Sequence, residues 1–131
     1  AVDTPNGLVV PVIKNTDKKS IEEISKELFS ISQKARERKL IPKDMEGSCF
    51  TISSLGGIGG TYFTPIINPP EVAILGISRS EYIPIYKIND LKKRLILPYS
   101  LSYDHRVIDG AAAAKFTSEF GNLIENFKKI I

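Results

Sequence analysis

The sequence has no tryptophan, one histidine, one methionine and one cysteine. A lone cysteine, Cys49, excludes an internal disulfide framework and a multi-cysteine metal site. One histidine with one cysteine does not make an ordinary zinc set, so no metal is expected. No apolar run approaches the ~18 residues a membrane-spanning helix needs, and no membrane segment is expected. Excess charge is scarce too. Eighteen Lys and Arg against fifteen Asp and Glu leave a net +3, interspersed along the chain rather than gathered in a stripe. That is not the footprint of a nucleic-acid binder, although it suits a phosphate-bearing small ligand. The opening Ala1-Val2-Asp3-Thr4-Pro5 lacks the basic and apolar segments of a secretory leader, and it lacks an initiator methionine. It reads as the start of a processed or excised chain.

What is present describes one globular domain. The chain has 131 residues, 42% apolar and 25% charged, which excludes the disordered and collagen-like classes. Residues 7–13 (GLVVPVI) read as a buried strand weakened by Pro11. Ser20 with Glu23 forms a capping box, and Ile21, Ile24, Leu28, Ile31 and Ala35 follow on one helical face. Lys34, Arg36, Arg38 and Lys39 close that helix at the negative end of its dipole, before Pro42. Residues 49–54 (CFTISS), 72–78 (VAILGIS) and 83–88 (IPIYKI) read as strands, with a turn at Asn89-Asp90. Cys49 is expected to pack inside its strand. Residues 94–103 read as one long strand with Leu95, Leu97, Tyr99, Leu101 and Tyr103 on one face. A second helix runs from Gly110 to the end, with Ala113, Phe116, Phe120, Leu123, Ile124, Phe127 and Ile131 as its stripe. Gly121 is a weak point in it, costing ~1 kcal/mol against alanine. Strands clustered between two helices predict an α/β fold, a mixed sheet covered by helices.

The chemistry gathers at residues 102–110 (SYDHRVIDG), the junction of the long strand and the last helix. His105, placed on the face of Leu95 and Tyr103, points where the core points. Two readings stand side by side there. In one, Asp109 caps the helix, Asp104 and Arg106 pair, and His105 is a satisfied buried imidazole. In the other, His105 is a general base at the end of a buried row. Ser53 ends a strand beside a loop of four glycines, where a hydroxyl can serve an oxyanion or simply be solvated. That loop lacks the GK[ST] ending of a phosphate-binding loop and the helix of a dinucleotide fingerprint. Ser53 is not in a G-x-S-x-G elbow, which argues against a serine hydrolase.

Residues 103–110 (YDHRVIDG) with the following AAAAKF resemble the D-H-R-x-x-D-G signature of dihydrolipoamide acyltransferases, the cores of 2-oxoacid dehydrogenase complexes. Residues 50–60 (FTISSLGGIGG), 63–71 (FTPIINPPE) and 3–11 (DTPNGLVVP) resemble further blocks of that family in the same order. The stretch GGTYFT and the block after the histidine are most similar to the acetyl-transferring, pyruvate-type members; succinyl or branched-chain transfer is the alternative within the family.

The resemblance implies the chloramphenicol acetyltransferase fold, with residues 1–131 as the C-terminal half of the catalytic domain and neither a lipoyl nor a subunit-binding domain. It implies coenzyme A and the lipoyl group as substrates. His105 then matches the base and Ser53 the oxyanion donor. Asp109 matches a second active-site position in an orienting role. It further implies a homotrimer with serine and histidine from different chains, trimers joined into a cage, and lipoyl domains as partners. The C-terminal Ile130 and Ile131 are expected to reach a neighbouring trimer. The compartment implied is the bacterial cytoplasm or the mitochondrial matrix. Two rival readings remain, a Ser53–His105 hydrolase and a non-catalytic scaffold piece.

Overall fold

A computed structural model describes residues 1–87 and 90–127. The turn expected at Asn89 and the assembly role expected of Ile130 and Ile131 lie outside the described residues. The chain forms two compact units, residues 1–51 and 52–131.

In the first unit, β1 (Val2–Thr4) and β2 (Gly7–Val9) form an antiparallel hairpin. Gly7 turns it with φ 108°, a conformation costly for any side chain, and Thr4 Oγ1 donates to the Gly7 carbonyl at 2.7 Å. The expected strand over residues 7–13 therefore stops at Val9, before Pro11. Helix α1 (Ile21–Arg36) begins as expected. Ser20 Oγ accepts from Glu23 N at 3.2 Å, and the Glu23 carboxylate accepts from Ser20 N at 2.7 Å. Its stripe is only partly covered: Ile31 and Ala35 are buried, whereas Ile21 and Leu28 are exposed.

In the second unit, β3 (Thr51–Ser54), β4 (Ala73–Ile77) and β7 (Tyr99–Tyr103) form a sheet in the order β3-β4-β7. Strands β5 (Glu81–Lys87) and β6 (Asp90–Ile96) form a separate antiparallel ribbon. Cys49 lies outside β3 and is exposed, so the expectation that it packs inside a strand fails. The single long strand over residues 94–103 is in fact two, β6 and β7, broken at residues 97–98. The registers explain the break. Ala73 faces Tyr103 and Ile77 faces Tyr99, while Glu81 faces Ile96. Residues 78–80 thus oppose residues 97–98, three against two. This bulge slips the pairing by one residue and kinks one long hairpin into two segments. Pro98 sits at the kink, where its carbonyl accepts from Ser78 N at 3.0 Å. The expected shared face does not survive it: Leu95 is exposed while Tyr99, Leu101 and Tyr103 are half-buried.

Helix α2 (Gly110–Glu125) packs on β7. Tyr99 and Phe120 meet edge to face at 5.0 Å, and Tyr99 Oη donates to the Thr117 carbonyl at 2.7 Å. Gly121 is not a weak point. A Cβ there would stand 2.8 Å from Tyr99 Oη, so the missing side chain is what lets β7 approach. Gly121→Ala is expected to destabilise the fold by about 1–3 kcal/mol despite its better helix propensity. A lower urea midpoint is the expected reading, and a raised one would contradict the packing argument.

Candidate active site

The turn carrying His105 is built by Asp104. Its amide donates to Val72 at 2.8 Å, which ties the turn to the start of β4. Its carbonyl accepts from Val107 N at 3.0 Å and Ile108 N at 2.9 Å, closing one helical turn. Its carboxylate accepts from Arg106 N at 3.0 Å, from Nε at 3.0 and 3.1 Å, and from Nη2 at 2.6 Å. Those hydrogen bonds and the guanidinium charge hold the Asp104 carboxyl at about 2, below its ordinary 3.8. A depressed carboxyl stabilises the fold above the unfolded value, and that contribution fades as pH falls from 3.8 towards 2. An NMR titration of the Asp104 carboxyl is expected to show its midpoint near 2; a midpoint close to 3.8 would mean that the pairing is not kept in solution.

His105 leaves the core. The strand ends at Tyr103, so the alternation that placed the imidazole inward stops two residues early, and His105 is exposed on the turn. Its ring lies 5.7 Å from that of Tyr103, tilted by 38°, and it makes no hydrogen bond with any described residue. Asp109 is committed: its Oδ1 accepts from Ala112 N at 2.7 Å as the N-cap of α2. The capping and pairing roles of the first reading are therefore filled by Asp109 and by Asp104 with Arg106. The buried, satisfied histidine of that reading is absent. What is left is an uncommitted imidazole on a rigidly stapled turn.

Ser53 is half-buried in β3, and its hydroxyl likewise makes no hydrogen bond with a described residue. Ser54 beside it is used, accepting from Gly56 N at 3.4 Å. Two free groups of the right chemistry thus exist, but one chain does not bring them together. Leu55 N donates to the Ile77 carbonyl at 2.9 Å, so β3 leaves the sheet at the Ile77 end of β4. His105 follows Tyr103, which faces Ala73 at the other end. β4 lies between β3 and β7, adding two strand spacings, about 9.6 Å, to a length of about 13 Å along the strand.

One buried group went unnoticed in the sequence. Glu71, at the entry to β4, has both carboxylate oxygens buried without a hydrogen-bond partner among the described residues. Its signal was a lone acid between two prolines and an apolar strand. Among the described residues no three His, Cys, Asp or Glu side chains converge as metal ligands.

All 131 residues match the family model of the 2-oxoacid dehydrogenases acyltransferase catalytic domain. The chain belongs to this family. It is 59% identical over its whole length to the dihydrolipoyllysine-residue acetyltransferase component of the pyruvate dehydrogenase complex of Haemophilus influenzae, covering 23% of that protein. The corresponding protein of Azotobacter vinelandii is 55% identical, with 20% covered. A solved structure of the A. vinelandii dihydrolipoamide acetyltransferase, studied for the roles of a serine, a histidine and an asparagine in catalysis, superposes with a TM-score of 0.93 at 56% identity. That match covers 98% of this chain and 53% of the solved one. A second, the cubic core of a pyruvate dehydrogenase multienzyme complex, gives 0.93 at 55% identity, again with 53% covered. The α/β fold expected from the sequence is thus that of acyltransferase cores, and the chain spans about half the length of those solved cores.

Proposed function

We propose that this chain is the C-terminal half of an acyltransferase catalytic domain that moves acetyl between dihydrolipoamide, carried on a lipoyl domain, and coenzyme A. The observation that carries the reading is a spacing. The serine, histidine and asparagine studied in the A. vinelandii relative stand 52 and four positions apart, as Ser53, His105 and Asp109 do here. The two residues given chemical roles are the two left uncommitted by the fold. In the reaction His105 takes the proton from the thiol of coenzyme A, and the thiolate attacks the thioester carbonyl of acetyl-dihydrolipoamide. Ser53 donates to the oxyanion of the tetrahedral intermediate. Collapse expels the dihydrolipoamide thiolate, which recovers the proton from the imidazolium. Neither an acyl-enzyme nor a metal is needed.

Asp109 orients rather than transfers protons. Where this chain has aspartate the relative has asparagine, and what the two share is a side-chain oxygen able to cap α2, the bond Asp109 makes here.

The separation of Ser53 from His105 argues for a homotrimer in which one copy's serine faces another's histidine, and for trimers assembled into a larger core. What speaks against the hydrolase reading is the sequence around Ser53, which does not form a G-x-S-x-G elbow. The test mixes two inactive proteins. Full-length protein carrying Ser53→Ala and full-length protein carrying His105→Ala are each inactive alone. Refolded together in equal amounts, they are expected to recover about a quarter of the wild-type rate, since a quarter of randomly formed interfaces pair two intact residues. No recovery from mixed oligomers would mean that each site is built within one chain.

A further inference from the structure

Glu71 is used neither by the fold nor by the acyl-transfer steps described above. The residue is 8% exposed, and both its carboxylate oxygens are buried without a hydrogen-bond partner among the described residues. Only its main chain is engaged: the amide donates to the Asn68 carbonyl at 3.0 Å as the chain enters β4. Taking a carboxylate out of water with no partner costs stability, and a glutamine of the same shape would cost less. A group kept at such a cost points to work that needs its charge.

The place of Glu71 in the sheet says where that charge acts. Ala73 faces Tyr103, and the Asp104 amide donates to the Val72 carbonyl at 2.8 Å, which carries the ladder one step further. Glu71 and His105 are the next residues along the two segments. A Cα step of about 3.8 Å on either side of a ladder spacing of about 5.5 Å leaves at most about 13 Å between their Cα atoms. The acids on the turn itself are spent. Asp104 is paired with Arg106, so those two charges offset each other. Asp109 is exposed and gives one carboxylate oxygen to Ala112 N as the cap of α2, whose first turn holds no acid. Glu71 is the buried and unspent negative charge behind the turn.

We propose that Glu71 is a positioning residue for acetyl transfer, a buried carboxylate whose charge favours the imidazolium that His105 becomes when it takes the thiol proton. This rests on the acyltransfer reading above, which makes His105 the base. Glu71 touches neither thiol nor thioester and acts through His105. The proton stays on the imidazole until the dihydrolipoamide thiolate recovers it, and none passes to the buried carboxylate. At about 10 Å and an effective dielectric of about 20, a fixed unit charge favours a new cation roughly tenfold, less where water screens it. Because the charge is in place before the cation forms, nothing has to reorganise as the proton moves.

The experiment measures kcat, KM and the urea midpoint of the full-length protein carrying Glu71→Gln or Glu71→Asp. Glutamine keeps the shape and drops the charge. Its kcat is expected to fall about five- to tenfold with KM for coenzyme A and dihydrolipoamide unchanged, while its urea midpoint rises above wild type. Aspartate keeps the charge and loses a methylene, so it is expected to restore most of that rate although its urea midpoint falls. A glutamate with a purely structural role would give neither the split between kcat and KM nor the gain in stability. A folded Glu71→Gln protein with the wild-type kcat would overturn the proposal. Loss of its fold would do so too, because an unpartnered carboxylate has no hydrogen bond for the amide to break. An aspartate variant as slow as the glutamine one would mean that shape matters rather than charge, and would also overturn it. Failure of the chemistry is separable: a wild-type protein that transfers no acetyl removes the acyltransfer reading itself, whereas an active wild type with an unaffected glutamine variant removes Glu71 alone.

Discussion

His105→Ala is expected to lower acetyl transfer by at least ~100-fold, the usual cost of removing a general base. The loss should come with little change in stability. The imidazole is exposed, makes no hydrogen bond with the described residues and lies beside the Tyr103 ring. The turn that carries it is held by Asp104 and Arg106, neither of which needs the ring. Turnover is measured in the full-length protein with acetyl-coenzyme A and dihydrolipoamide, beside a thermal melt. A variant that retains more than a tenth of the wild-type rate would remove His105 from the mechanism. A variant that melts far below wild type would make it a structural residue after all.

Ser53→Ala is expected to cost a similar factor by a different route. A donor aimed at an oxyanion is strengthened only once charge has developed, so kcat should fall by ~100-fold while KM for coenzyme A stays close to its original value. The hydroxyl is uncommitted in the fold, and its loss leaves no buried partner stranded. Should KM rise instead with kcat preserved, Ser53 would be a binding contact for the thiol substrate, and the oxyanion would have to be held by backbone amides.

The elements that follow local rules were legible before any coordinates. Ser20 and Glu23 announced α1 because a capping box closes within four residues, and Asp109 stood as the N-cap of α2, a bond that also closes locally. Ser53, His105 and Asp109 were singled out by the family blocks that contain them, and their disposition in the fold is a separate matter. The site's geometry was not legible. Nothing local places β4 between β3 and β7, because strand order is decided by pairings tens of residues apart. Nor does alternation reveal where a strand stops. Tyr103 looks continuous with His105 until Asp104 spends its carbonyl on Val107 and Ile108. The two helix stripes were legible as apolar faces, yet much of each stays exposed, since burial depends on what packs against a face and not on the face alone. The break at residues 97–98 escaped notice because the residue that causes it lies on the other strand, among residues 78–80.

That three-against-two step divides the chain's evolutionary freedom. The extra residue lies on one strand alone, so the ribbon and the site sheet keep separate registers. Substitutions along β5 and β6 leave the side chains of β7 that face α2 on their own register. A one-residue deletion in 78–80 would merge the two registers into one continuous ladder, with Ile77 still opposite Tyr99 and Tyr82 still opposite Leu95.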